Sequence, residues 1–424
     1  MTGNGAAERT ARPQDPGPGD STGSDGTRSD GTGPDGIVPD EPGPRPLPSS
    51  GLKGCKQPLS EHYDAALLDL DGVVYLGGRP IACAADALAE AAKRGMKLAY
   101  VTNNASRSPH AIAAQLAGMG VRATAADIVT SAQAAAHLLA DRLPAGAPVL
   151  VVGGTGLRLA LRERGLRPVS TAADRPLAVV QGYSPDISYG LLAEATLALN
   201  AGAFYVASNA DPTLPTARGL QPGNGSLVQV LVHATGLEPV VAGKPEPPLH
   251  AESVQRVGAQ RPVVVGDRLD TDIEGAVRAG ADSLLVLTGV TGPADLLLAG
   301  PQHRPSYVAA DLTGLNASHP DISSEGGRFT CGGWTVAVAG AVAVAGAAAV
   351  AGAGERAVAA ASTHVGSAGG WLTVSGSGSW IDGLRALCAA AWSAAGAAGM
   401  PAGGPQEQRQ AAAAAIAAIA SAGA

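Results

Sequence analysis

Residues 65–75 read AALLDLDGVVY: four apolar residues lead into Asp69, and Leu70, Asp71 and Gly72 follow. An apolar run of this length predicts a strand buried on both faces. Because strand side chains repeat every two residues, the carboxylates of Asp69 and Asp71 are expected to project to one side and share a small site. Like charges about 4 Å apart repel by roughly 4 kcal/mol at an effective dielectric near 20, so such a pair calls for a cation, a shared proton or both. A calcium loop of the D-x-D-G kind does not fit. The segment ahead is strand-like rather than helical, and Pro80 stands where the loop's closing Glu belongs. Two solvated acids in a turn is the plainer alternative.

Outward from this stretch, residues 63–312 alternate apolar strand-like runs with helix-like ones, the pattern of an α/β fold with a parallel sheet covered by helices. The strand candidates are AALLDL, KLAYVTN, PVLVVGG, LAVVQGY, AFYVASN, PVVVGD and SLLVLTG. Between them, CAADALAEAAKRG has helical composition, and SPHAIAAQLAGMG offers Ser108 as N-cap and Pro109 at the first helical position. Open sheets of this kind place ligands outside the carboxyl ends of their strands. Three predicted strand ends carry unusual polar residues: Asp69 with Asp71, Thr102 to Asn104, and Asp267.

Each further stretch has a chemistry and a bland counterpart. In YVTNNASRS, the hydroxyl of Thr102, the amides of Asn103 and Asn104 and loose backbone N–H groups suit phosphate oxygens, although Asn-Asn after a strand also makes an ordinary turn. In VAGKPEP, Gly243 and Pro245 restrict the loop around Lys244, so its ammonium can be aimed at an anion. Only five lysines occur in the chain, which makes lysine here notable against a solvated loop residue. In PVVVGDRLDTDIEGAVRAG, Asp267 ends a strand and can bind a hard cation, while Asp272 can orient that site or cap the helix that follows.

In this order the four stretches resemble the haloacid dehalogenase (HAD) superfamily of phosphohydrolases, subclass IIA, over residues 63–312. The subclass includes p-nitrophenyl phosphatases, phosphoglycolate phosphatases, pyridoxal phosphate phosphatases, and nucleotide or sugar phosphate phosphatases. The resemblance implies a Rossmann-like core over 59–130 and 205–315, with an inserted α/β cap of the C2 type over 131–204. It implies Asp69 as nucleophile and Asp71 as general acid and base. Thr102 and Lys244 would hold the phosphoryl group with backbone N–H groups near Asp71, Gly72 and Asn103. Mg²⁺ would be bound by Asp69, Asp267 and the backbone carbonyl of Asp71, with Asp272 in support. The cap loop VVQGYSPDISYGLL makes Tyr183, Pro185 and Asp186 candidates for substrate contact, with a surface turn as the alternative. SNADPTLPT resembles the return segment into the core and puts Asn209 and Asp211 on the substrate side. GNGSLVQVLVHATG is expected to start a helix near the site. The subclass also admits homodimers through the cap.

The glycine cluster of VLVVGGTGLRLALRERG misses the dinucleotide pattern, since Leu159 stands where the third glycine belongs. The eight histidines fall outside these motifs and are assigned to packing or surface.

The remaining sequence limits partners and place. Net charge is -7 with no basic stripe, so nucleic acid is not expected as a partner. The four cysteines form no CxxC pair, which fits reduced thiols in a cytoplasmic protein. The first 55 residues repeat Pro, Gly, Ser and Asp, with Asp15, Asp20, Asp25, Asp30, Asp35 and Asp40 at five-residue intervals; residues 1–58 are expected to be a disordered tail without a secretory signal. Residues 334–354, WTVAVAGAVAVAGAAAVAGAG, carry no charge, but Val alternating with Ala reads as strand and no membrane span is expected. From 325 to 395 a small α+β module of short strands closed by one helix is expected around an Ala/Gly-rich insert. Residues 396–424 read as an Ala-rich helix or a frayed tail.

Two functions compete on this basis. One is a Mg²⁺-dependent phosphatase acting on a small phosphorylated metabolite through an aspartyl phosphate. The other is a binding or regulatory protein that keeps the scaffold while its C-terminal module recruits a partner.

Overall fold

The computed structural model describes residues 51–216, 218–338, 365–368, 372–397 and 404–422. The Asp repeat, and the part of the 334–354 stretch beyond Val338, lie outside the described residues. No helix among those described is long and apolar enough to cross a membrane.

Six parallel strands form the core sheet in the order Tyr307–Ala309, Asp282–Val286, Pro262–Gly266, Ala65–Leu68, Lys97–Thr102, Ile128–Thr130. Ala65–Leu68 is central and wholly buried: Ala66 and Leu68 enter one apolar cluster and Leu67 the cluster on the opposite face. Burial on both faces explains why the segment has no polar alternation. Ser108 caps the helix Pro109–Gly118, its Oγ accepting from the Ala111 N–H at 3.3 Å.

A second parallel sheet of five strands runs Val240–Val241, Phe204–Ala207, Ala178–Gln181, Pro148–Val152, Arg167–Val169. Its extent differs from the expected insert of 131–204. Ser131–Ala140 is a helix that packs against the helix Pro247–Val257 as well as against the second sheet's helix Thr155–Glu163. AFYVASN pairs Phe204 with Ala178 in the second sheet, and the chain returns to that sheet once more at Val240–Val241. The composition of AFYVASN suits either sheet, so only its pairing distinguishes them. One apolar cluster joins the layers, with Leu67 and Val101 of the core, Ala135 and Leu139 of the intervening helix, and Val151, Leu157 and Val180 of the second unit.

The glycine cluster also has its explanation here. A Cβ on Gly156 would lie 2.6 Å from the carbonyl oxygen of Ala105 and 2.8 Å from that of Arg107, so the start of Thr155–Glu163 can approach the core loop only without a side chain.

The C-terminal residues form an antiparallel sheet in the order Ser323–Glu325, Arg328–Cys331, Trp334–Val338, Leu372–Gly376, Val365–Ala368, with helices Trp380–Ala397 and Pro405–Ala422. The second helix resolves the open reading of 396–424: Ala412, Ala415 and Ile419 are buried at helical spacing. Trp334, Leu387 and Trp392 share an apolar cluster with Leu285, Leu296 and Val308 of the unit built on the six-stranded sheet.

Candidate active site

Asp69 follows the strand Ala65–Leu68, Thr102 ends Lys97–Thr102, and Asp267 follows Pro262–Gly266. All three therefore lie at the carboxyl end of the core sheet, where such sheets bind ligands. Lys244 follows the short strand Val240–Val241, and Asp272 lies in the helical turn Leu269–Ile273.

The center is ionic. Lys244 Nζ donates to Asp69 Oδ1 at 2.5 Å and to Asp272 Oδ1 at 2.7 Å, with the lysine side chain only 4 % exposed. Asp272 is thus held by the lysine and by the Arg268 N–H, which donates to its other oxygen at 3.2 Å. Oxygens of Asp69, Asp267 and Asp272 lie within 4.8 Å of one another. Three carboxylates face one ammonium, leaving an excess of negative charge.

The proton affinities carry that imbalance. Burial pushes the Asp69 carboxyl up to about 8 against the pull of Lys244, and burial together with Asp272 pushes Asp267 up to about 6. Burial works to lower the Lys244 pKa, but Asp272 and Asp69 outweigh it and the pKa rises. A divalent cation among the carboxylates reverses their upward shifts. The donor set fits one: all ligand atoms are carboxylate oxygens, and Asp267 Oδ1 is buried with no hydrogen-bond partner among the described residues.

Asp71 stands outside this group. The strand ends at Leu68, yet the two-residue alternation carries on through the acids, with Asp69 partly exposed, Leu70 buried and Asp71 exposed. Asp71 begins a turn in which the Gly72 N–H donates to the Tyr75 carbonyl at 2.7 Å and Val73 and Val74 are buried. Although accessible at the surface, its carboxyl is crowded enough for desolvation to raise its pKa, opposed by a backbone hydrogen bond from Gly77.

Asn103 ties the motifs together. Its Oδ1 accepts from the Lys244 N–H at 2.8 Å, and its Nδ2 donates to the Lys244 carbonyl at 3.2 Å and to Asp211 Oδ2 at 3.1 Å. Its carbonyl accepts from Asn209 Nδ2 at 2.7 Å and Ser131 Oγ at 2.6 Å. Burial raises the Asp211 pKa, with the Asn103 bond opposing. Asn224, opening the helix Asn224–Thr235, donates to the Asn209 carbonyl at 2.7 Å. Thr102 Oγ1 accepts from the Asn104 N–H at 3.1 Å.

Asp69, Asp267, Asp272, Lys244, Asn103, Asn209 and Asp211 thus form one connected site. Tyr183, Pro185 and Asp186 lie on the loop after Ala178–Gln181, partly or fully exposed, with no hydrogen bond to this group among the described residues.

Two contributors were missed by sequence reasoning. Arg268 grips Asp270 through Nε and Nη2 at 3.0 and 2.7 Å beside Asp211 and Asp272, and the loop 288–291 holds Asp267. Both lie at carboxyl ends of core strands, where the sheet rule could have found them.

Comparison with known proteins gives the family. Residues 66–167 match the family described as haloacid dehalogenase-like hydrolase, and residues 241–315 a HAD-hydrolase-like family. Residues 364–420 match a GCN5-related N-acetyltransferase like domain. A D-glycerol 3-phosphate phosphatase of Mycobacterium tuberculosis is 52% identical over 258 residues, 61% of this chain and 72% of its own. An acid sugar phosphatase of Staphylococcus saprophyticus is 38% identical over 254 residues, 59% of this chain and 96% of its own. The crystal structure of a glycerol phosphate phosphatase from M. tuberculosis with magnesium aligns at a TM-score of 0.64 and 41% identity, covering 80% of this chain and 92% of that one. Divalent cations bind that neighbour, magnesium in one structure and calcium in another, and the carboxylate group of this chain fits such an ion. The chain belongs to the haloacid dehalogenase-like hydrolase family and is one of its phosphomonoesterases.

Proposed function

We propose that the chain hydrolyses the phosphomonoester of a small polyol or sugar, with glycerol phosphate as the first candidate, through an aspartyl phosphate on Asp69. The observation that carries the chemistry is the Asp69–Lys244–Asp272 ion group beside Asp267. The substrate class rests on the 52% identical relative named for glycerol 3-phosphate.

A carboxylate approaching a phosphate dianion meets repulsion of roughly 8 kcal/mol, by the same dielectric reasoning for two charges. Lys244, buried and raised in pKa, stays cationic and offsets part of that charge at the phosphoryl oxygens. Asp69 and Asp267 would hold Mg²⁺, which would supply further charge neutralisation. Asp69 attacks phosphorus and the P–O bond to the leaving group breaks. Asp71 then delivers a proton to the departing alkoxide. In the second half Asp71 takes a proton from the water that attacks phosphorus, which frees inorganic phosphate and restores Asp69. The upward pKa shift of Asp71 favours the protonated form needed first. Thr102 and backbone N–H groups near Gly72 and Asn103 receive the phosphoryl oxygens, Asp272 orients Lys244, and Asn209 with Asp211 meets the substrate beneath the loop of Tyr183, Pro185 and Asp186.

We assign the enzyme to the cytoplasm, in keeping with its four free cysteines, and infer a homodimer through the cap from the subclass. The alternative of a partner-recruiting module is weakened by the apolar cluster that Trp334 and Trp392 share with the catalytic unit. Phosphate release with Mg²⁺ across a panel of glycerol, sugar, nucleoside and glycolate phosphates tests the reading. Turnover favouring a polyol phosphate supports it, and silence across the panel contradicts it.

A further inference from the structure

The loop after the strand Asp282–Val286 belongs to none of the four motifs, yet it bonds to two of them. Thr288 Oγ1 donates to the Gly72 carbonyl at 2.5 Å, the Val290 N–H donates to Asp267 Oδ2 at 2.7 Å, and the Thr291 N–H donates to the Asp267 carbonyl at 3.2 Å. The packing leaves no slack. A Cβ on Gly289 would lie 2.0 Å from Asp267 Oδ2, and one on Gly72 2.4 Å from the same oxygen. Two backbones therefore press on Asp267 Oδ2 from different parts of the chain, which fixes the carboxylate, while Oδ1 is buried with no hydrogen-bond partner among the described residues.

We propose that Thr288 is a positioning residue: its hydroxyl locks the Gly72 peptide to the loop that clamps Asp267, and so sets Asp71 relative to the metal-binding carboxylates. The proposal rests on the phosphatase reading above. Asp71 is the exposed residue of a turn whose Leu70, Val73 and Val74 are buried in the core, and the turn is closed by local bonds, Gly72 N–H to Tyr75 and Val74 N–H to Leu70 at 2.9 Å. Those bonds lie within the turn, and the Thr288 bond ties its Gly72 peptide to the loop that clamps Asp267. The Thr288 bond spans 216 positions and joins the first strand's loop to the loop two strands away in the sheet. Gly72 has a φ of +86°, so nothing in its own side chain restrains the peptide.

The test uses the full chain with Thr288→Val, which keeps shape and loses the donor, and Thr288→Ser, which keeps the donor. Mg²⁺ binding is measured by titration calorimetry without substrate, alongside kcat, KM and the melting curve. For Thr288→Val, the expected result is Mg²⁺ binding weakened about tenfold and kcat lowered about tenfold with KM little changed, since partners behind metal ligands are worth this much. Thr288→Ser should stay within about threefold of wild type on both, in line with a retained hydrogen bond. If Thr288→Val does not fold, Thr288→Ala takes its place. Wild-type behaviour of Thr288→Val, or equal impairment of Thr288→Ser, overturns the proposal. Should wild type bind Mg²⁺ in a Thr288-dependent way yet release no phosphate from any ester, the phosphatase reading falls and the tie to the metal site stands.

Discussion

Lys244 and Asp272, 28 positions apart in the chain, meet at 2.7 Å in the buried floor of the site. With Asp69 on the other side of the ammonium, the lysine is the hub of the charge balance rather than a loop residue waiting for phosphate. Replacing Lys244 by Met leaves two buried carboxylates without their counter-ion. The expected cost is about 3 to 5 kcal/mol of stability without metal, and a fall in kcat of about 100-fold or more. Urea unfolding with and without Mg²⁺ checks the first figure, and Mg²⁺ should restore part of the loss.

His250 is buried on the helix that follows Lys244, and both its ring nitrogens lack hydrogen-bond partners among the described residues. Burial, aided by Lys244, depresses its pKa to about 4 from the ordinary 6.5. A depressed histidine pKa means that the unfolded chain takes up the proton first. Its contribution to stability is complete above pH 6.5 and is lost as pH falls from there toward 4, to a total on the order of 3 kcal/mol. In urea unfolding of wild type and His250→Asn at pH 7.5 and 4.5, the wild type should lose more between the two values. Equal losses would contradict the assignment.

Glu252 gathers three partners: Arg164 of the second unit at 3.0 Å, Arg256 of its own helix at 2.5 Å, and His137 of the intervening helix at 2.5 Å. Burial acts to raise its pKa, yet the bonds from Arg256 and His137 win and lower it, so the carboxylate is charged where it sits. Glu252→Gln should lower stability by about 3 kcal/mol, because the two arginines lose a desolvated counter-ion. The urea midpoint reads this directly.

Trp392 donates its indole N–H to the Leu296 carbonyl at 3.3 Å and packs in the cluster shared by the C-terminal sheet and the catalytic unit. Trp392→Ala should cost about 3 to 5 kcal/mol as a cavity opens. Deleting residues 325–424 should likewise impair folding rather than leave activity untouched, because Leu296 and Leu297 would lose their cover. A truncated chain melting at the wild-type temperature would refute this.

What was legible in the sequence was whatever a strand end displays locally. Asp69, Thr102 and Asp267 each follow an apolar run, so the sheet rule points at them from the sequence alone. The Lys244–Asp272 contact was not legible, because it depends on how two loops from different crossovers meet. Asp71 was placed beside Asp69 by a two-residue period, and the burial of Leu70 between the two more exposed acids keeps that period. Val240–Val241 is too short to carry a pattern, and the limit at 204 was what the family resemblance implied. Thr288 escaped because a hydroxyl in a Thr-Gly turn looks the same whether it points to solvent or to a carbonyl 216 positions away.

The central claim is covalent chemistry at Asp69. The most direct test is peptide mass mapping of enzyme acid-quenched while turning over glycerol phosphate with Mg²⁺. The account predicts a phosphoryl adduct on the peptide carrying Asp69 in wild type, and neither adduct nor phosphate release from Asp69→Asn. An adduct on another residue, or an unimpaired Asp69→Asn enzyme, would contradict it.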